Sequence, residues 1–132
     1  MIDTLMIVDD NALDQKLYAR IIARSGLVGQ VHSFVMAEDA LTFLAAPTCP
    51  VIDAVLLDIN MPRMNGFEFL DAATMRFGSG FARAAVIMLT TSMSEHDQQR
   101  AAGYEVVRDY INKPLRPEHL ERIDALLQGR AA

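Results

Sequence analysis

"VLLDINMPRMNGFEF", residues 55 to 69, is the stretch on which the fold turns. Val55-Leu56-Leu57 is an apolar run that stops at a carboxylate, Asp58, and a loop holding Pro62 and Gly66 follows. Asn65 and Glu68 then stand three apart, the spacing of a capping box, and Phe67 and Leu70 continue a helical pattern. A continuous apolar run suits a strand covered on both faces, as in a parallel sheet. A charge at the end of such a strand needs a reason, and the rest of the chain supplies candidates.

Four more apolar runs are spaced along the sequence: Leu5 to Val8, a weaker Val31 to Val35, Val86 to Leu89, and Val106-Val107 with Tyr110-Ile111. Helical patterns lie between them. Leu13, Leu17 and Ile21 recur every four residues among Asp14, Lys16, Arg20 and Arg24, with Asn11 as cap and Ser25-Gly26 as stop. Ala37 to Ala45 is a short helix halted before Pro47. Ser94 with Asp97 opens a fourth helix. Pro117 suits the first turn of a fifth, whose apolar face is Leu120, Ile123 and Leu127. "FGSGFARA", residues 77 to 84, reads as a flexible connection. Five strands alternating with five helices predict an α/β fold, a doubly wound five-stranded parallel sheet. Right-handed crossovers restrict its topology, and the flavodoxin-like order 2-1-3-4-5 is the natural choice.

The 132 residues suit one domain, expected to span residues 1–132. No repeat or linker interrupts them, and only "GRAA" follows the fifth helix, so no output domain is expected. A net charge of −5 argues against sequence-independent nucleic-acid binding, and no direct DNA contact is expected. The one cysteine, Cys49, cannot form an internal disulfide and reads as a free thiol. The first apolar stretch is too short for a signal peptide and no run approaches a membrane span, so a cytoplasmic protein is the default.

In an open α/β sheet, ligands bind beyond the carboxyl ends of the strands, near the point where strand order reverses. Strand one ends in Asp9-Asp10, strand three in Asp58, strand four in Thr90-Thr91-Ser92, and strand five in Lys113 before Pro114. Three carboxylates crowding into one pocket repel, and burial raises the cost. A hard divalent cation relieves this, and oxygen ligands suit Mg²⁺. Lys113 adds a compact positive charge fit for phosphate, and Thr90 a hydroxyl donor. These are the parts of phosphoryl transfer, with Asp58 as attacking carboxylate and an aspartyl phosphate as product. Singly, each acid is an ordinary turn residue or helix cap; their joint placement after separate apolar runs is hard to reach by accident.

With these residues in place, the chain resembles the receiver domain of two-component response regulators, of the small stand-alone type that includes chemotaxis regulators. The matching pieces are "IVDD" (7 to 10), "LLDINMPRMNGFEF" (56 to 69), "VIMLTTS" (86 to 92) and "DYINKPL" (109 to 115). The resemblance implies that Asp58 is the phosphoacceptor. It implies that Asp9 and Asp10 hold Mg²⁺, with Asp10 the direct ligand, and that Asn60 offers its backbone carbonyl to the metal. Thr90 matches the switch hydroxyl and Tyr110 the aromatic that reorients on activation. Lys113 matches the phosphate-binding lysine, with a cis bond to Pro114. Two departures stand out: Thr91 occupies a position often Ala or Gly, and "GYEVVRDY" sets Gly103 farther from Tyr110 than is usual.

The function implied is that of a signalling protein rather than an enzyme, one that assists its own phosphotransfer and dephosphorylation. The donor is expected to be a sensor histidine kinase or a histidine phosphotransfer protein. A downstream target is expected on the face of the fourth helix, fifth strand and fifth helix, and "SEHDQQRAAG" has few large apolar residues to hold that fourth helix. Relay of the phosphate, or its drainage from a kinase, are alternatives. A Mg²⁺-dependent phosphatase of the haloacid dehalogenase type would need a second Asp where Asn60 stands. A purely structural binding module leaves the acidic cluster without a reason. His32, His96 and His119 show no metal spacing, Met61 and Met64 read as loop packing, and Phe34, Phe43, Phe67 and Phe69 as core or near-core.

Overall fold

The computed structural model describes residues 1–78, 80–91 and 94–131. The elements alternate as β1 (Ile2–Val8), α1 (Ala12–Ser25), β2 (Val28–Phe34), α2 (Ala37–Ala45), β3 (Ile52–Asp58), α3 (Gly66–Phe77), β4 (Ala82–Thr90), α4 (Glu95–Ala102), β5 (Val107–Asn112) and α5 (Pro117–Ala131). The strands form one sheet in the order β2-β1-β3-β4-β5, and every pairing is parallel. The chain therefore adopts the doubly wound, flavodoxin-like architecture that the strand–helix alternation predicts.

The continuous apolar runs are explained by the pleat. Successive side chains point to opposite faces, so a strand covered on both sides is apolar at every position. Met6, Val8, Val55, Leu57, Val86 and Met88 face a core closed by α2, α3 and Ala101 of α4. Leu5, Ile7, Leu56, Ile87 and Leu89 face a second core closed by Tyr18 and Ile22 of α1 and Leu120 and Ile123 of α5. Fully burying one such side chain stabilises the fold by roughly 1.5–3 kcal/mol. Phe69, at 0% exposed, is among the largest of them.

The caps form where the sequence places them. Asn11 accepts from the Asp14 amide and Gly26 ends α1 in the left-handed region. Asn65 and Glu68 make a reciprocal capping box, and Ser94 accepts from the Asp97 amide.

Four readings change. Helix α1 turns to the sheet chiefly through Tyr18 and Ile22, with Ile21 half-buried beside them, while Leu13 is 67% and Leu17 44% exposed. Strand β2 begins at Val28, three residues before the apolar run, and leaves Val35 outside. Its Gly29 lies so near β1 that a Cβ would meet the Asp3 carbonyl oxygen at 2.8 Å. Strand β4 takes up the last residues of the stretch read as a flexible connection, from Ala82 onward, and β5 starts at Val107 rather than Val106. Ser79 of that stretch, and Ser92 at the end of strand four, lie outside the described residues.

Candidate functional site

All the strands run the same way, so their carboxyl ends share one edge of the sheet. Strand β1 sits between β2 and β3, and the chain reverses its winding there. Asp9 and Asp10 follow β1 directly, Asp58 is the last residue of β3, Thr90 the last of β4, and Lys113 follows β5. Asp58 pairs in register with Leu89, one residue before Thr90. The Lys113 amide donates to the Thr90 carbonyl at 2.6 Å, tying the last two strand ends together. Carboxylate oxygens of Asp9, Asp10 and Asp58 lie within 4.8 Å of one another. Asp10 and Asp58 open onto a cavity of about 350 Å³ lined also by Asn11, Asp14, Asn60, Thr91 and Lys113, with Asp9 buried behind them.

The acids differ in surroundings. Asp9 is fully buried and accepts from every direction. Its Oδ1 takes the Asn11 amide at 2.9 Å. Its Oδ2 takes the Tyr18 hydroxyl at 2.8 Å and the Lys113 ammonium at 2.9 Å. Asp10 is exposed, as is Asn60. Asp58 is 5% exposed. Burial first, and then the charge of Asp9, push its carboxyl up to about 7, against the pull of Lys113. Burial and the hydrogen bond to Asp9 hold the Tyr18 hydroxyl far above its ordinary value, so it stays a donor. Burial draws Lys113 down, but its bonds to Asp9 and Asp14 and the nearby Asp58 charge outweigh this and leave it raised.

Close backbone contacts secure the end of β3. The Ile59 amide donates to Leu89 across the sheet, and the Gly66 amide donates back to the Ile59 carbonyl at 2.9 Å. Gly66 lies so close that a Cβ there would meet the Asp58 carbonyl oxygen at 2.6 Å. Met61, 8% exposed, and Met64 pack into the core beneath the loop, and the Lys113–Pro114 bond is cis.

The structure thus gathers Asp9, Asp10, Asp58, Asn60, Thr90 and Lys113 at one rim. Tyr110 stands apart: it is 44% exposed and its hydroxyl donates to the Gln98 side chain on α4 at 3.3 Å. Three residues of the site escaped the sequence reading. The sequence marks Asp14 as a polar helix position, but its Oδ2 lies 3.0 Å from the Lys113 ammonium. Nothing in the stripe of Leu13, Leu17 and Ile21 marks Tyr18, and Gly66 reads in the sequence as a loop residue. A signal existed for the first two: Asp14, Tyr18 and Ile22 have the same four-residue spacing as Leu13, Leu17 and Ile21.

The donor set fits a divalent cation. All three carboxylates offer oxygen, and like charge already disfavours ionising Asp58, a penalty that Mg²⁺ removes.

The family model of the response regulator receiver domain matches residues 5–123. Among curated proteins, the chain is 34% identical over 121 residues to a sensor histidine kinase, AruS, of Pseudomonas aeruginosa, covering 89% of the chain and 11% of the kinase. It is 30% identical over 123 residues to a probable methanogenesis regulatory protein, FilR2, of Methanothrix harundinacea, covering 89% of the chain and 76% of that protein. The chain spans only 7% to 11% of the kinases that it matches over most of its own length. Among solved structures, a two-component response regulator from Cytophaga hutchinsonii superposes with a TM-score of 0.86 at 27% identity, covering 97% of this chain and 98% of that one. The chemotaxis protein CheY4 of Vibrio cholerae superposes at 0.74 with 26% identity, covering 92% and 95%. With nearly its whole length inside the family match, and its strand-end acids in the place where that fold binds ligands, the chain belongs to the response regulator receiver domains of two-component phosphorelay signalling.

Proposed function

We propose that Asp58 takes a phosphoryl group from a phosphohistidine on a sensor kinase or a histidine phosphotransfer protein, and that its acyl phosphate signals until water removes it. The observation that carries this reading is convergence: the buried Asp58, the further acids Asp9 and Asp10 and the Lys113 ammonium gather at one open cavity, with Asp9 buried behind it. In the transfer an Asp58 carboxylate oxygen attacks phosphorus. The phosphorus–nitrogen bond breaks, its electron pair stays on the imidazole nitrogen, and a phosphorus–oxygen bond forms. Asp10 and Asp58, with the Asn60 carbonyl, would hold Mg²⁺ directly, and Asp9, held by three protein donors, would support them from behind. Bound there, Mg²⁺ neutralises charge developing on the transferred group. Lys113 would hold a phosphoryl oxygen, a role its 3.7 Å distance from Asp58 Oδ1 supports, and Thr90 would donate to another.

Domain organisation follows the same reading, with residues 1–132 as one receiver unit that works by contact as output, relay or sink. No described helix is long and apolar enough to cross a membrane, and we place the domain in the cytoplasm beside its donor. Asn60 offers no proton for a phosphatase acid, which favours a signalling role over an enzymatic one.

The output surface is α4–β5–α5. Helix α4 buries only Ala101, and Tyr110 bonds to it from β5, so a small bias at the strand ends is enough to shift it. Incubation with a small acyl phosphate and Mg²⁺ tests the chemistry: label that is labile to hydroxylamine should appear on the protein and vanish in Asp58→Asn. Label persisting at the same site in that variant would refute the assignment. For the switch, beryllofluoride should move the α4 amide resonances; an unmoved α4 sinks it.

A further inference from the structure

We propose that Asp14 is a positioning residue that competes with the phosphoryl group for Lys113, and so limits how far and how long Asp58 stays phosphorylated. This rests on the receiver reading above and adds a residue to it. The Lys113 ammonium has three protons to give. In the structure one goes to Asp9 at 2.9 Å and one to Asp14 at 3.0 Å, while Asp58 Oδ1 stands off at 3.7 Å. The acceptor is thus the most distant of the three carboxylates around the lysine. Lys113 is 13% exposed and Asp14 26%, so the pair is only partly screened by water.

The position of Asp14 makes this contact more than incidental. Its amide is fixed by the Asn11 side chain at 3.0 Å, in the first turn of α1. Its carboxylate reaches a residue 99 positions away and lines the same cavity as Asp58. A first-turn acid is ordinarily explained by the helix dipole, but that leaves the choice of Lys113 as partner unexplained.

Phosphorylation puts about two negative charges on Asp58, with oxygens that extend toward Lys113. The ammonium then swings or shares a proton away from Asp14, and Asp14 is left with a weaker partner beside a new anion. Both effects disfavour the phosphorylated state. Asp9 makes no such contest, because it keeps the Tyr18 and Asn11 donors whatever Lys113 does.

The test is affinity for beryllofluoride at saturating Mg²⁺, read by the change in NMR or fluorescence signal, alongside loss of phosphate after labelling with a small acyl phosphate. Asp14→Asn keeps the helix turn and should bind the mimic about 3- to 10-fold more tightly, with slower phosphate loss. Asp14→Glu should return toward the wild type. In a Lys113→Met background most of the Asp14→Asn gain should disappear, since competition needs the lysine, whereas simple repulsion would persist. Unchanged or weaker binding by Asp14→Asn overturns the proposal, as does a gain that survives without Lys113. If the wild type itself neither binds the mimic nor takes label, the receiver chemistry has failed and Asp14 with it; a wild type that responds while Asp14→Asn behaves identically condemns Asp14 alone.

Discussion

Tyr18 is 2% exposed and gives its hydroxyl to Asp9, an acid that is itself fully buried. A buried carboxylate is tolerable only where donors surround it, and Asp9 has three. Tyr18→Phe keeps the ring and removes one. A hydrogen bond to a charged group contributes roughly 1.5–3 kcal/mol, so the variant should lose about 2 kcal/mol by denaturant unfolding in metal-free buffer. A loss under about 0.5 kcal/mol would show that water or Lys113 replaces the hydroxyl. The acids, hydroxyl and lysine of the rim were readable in the sequence because they follow separate apolar runs. Tyr18 and Asp14 were not, because their roles depend on the rotation of α1 about its axis, and spacing alone does not set that rotation. Two stripes one residue apart share the four-residue period. The burial of Tyr18 and Ile22 chooses between them and leaves Leu13 and Leu17 in water.

Helix ends were the most legible boundaries. The capping box at Asn65 and Glu68 forms, and α2 runs from Ala37 to Ala45 as read, with no side-chain cap at Met36 but with Pro47 close behind its end. Strand boundaries were less so. Strand β2 is an edge strand whose residues are mostly half-buried or exposed, so its apolar pattern is diluted, and its beginning is set by pairing with β1 rather than by its own side chains. Strand β4 starts inside a run that looked like a loop because Ala82 pairs with Ile52 at a register shift. Gly66 is the point at which an element governs the site. Its missing Cβ lets the start of α3 close onto the end of β3, where the Asp58 carbonyl would stand 2.6 Å from an added carbon. Gly66→Ala must push one backbone from the other. An overpacking cost of about 1–3 kcal/mol is expected, with weaker Mg²⁺ binding because Asp58 moves with its strand. Calorimetry with and without Mg²⁺ reads both; a variant as stable and as responsive as the wild type would show that the loop yields freely.

At the scale of the whole molecule, two apolar cores fix the sheet, and the sheet holds a rim of like charges that the fold does not favour on its own. Asp58 measures this cost. Its carboxyl rises from 3.8 to about 7 on folding, chiefly through burial and then through Asp9. Between those two values the native protein holds a proton that the unfolded chain has released, so stability falls as pH rises across that window. The contribution is fully present below pH about 4 and gone above about 7. Other acids titrate in the same range, and the comparison that isolates Asp58 is with Asp58→Asn, whose amide never ionises. In metal-free buffer the two proteins should have similar Tm near pH 4, and the wild type should fall progressively below the variant up to about pH 7 and stay below it at pH 8. Mg²⁺ reverses the sign for the wild type alone, because it binds the ionised acid and displaces the proton. Its stabilising effect should therefore grow from pH 5 to pH 8 and be weak in Asp58→Asn. A Tm gap between the two proteins that stays constant with pH would mean that the rim carries no such strain, and a Mg²⁺ response equal in both would place the cation away from Asp58.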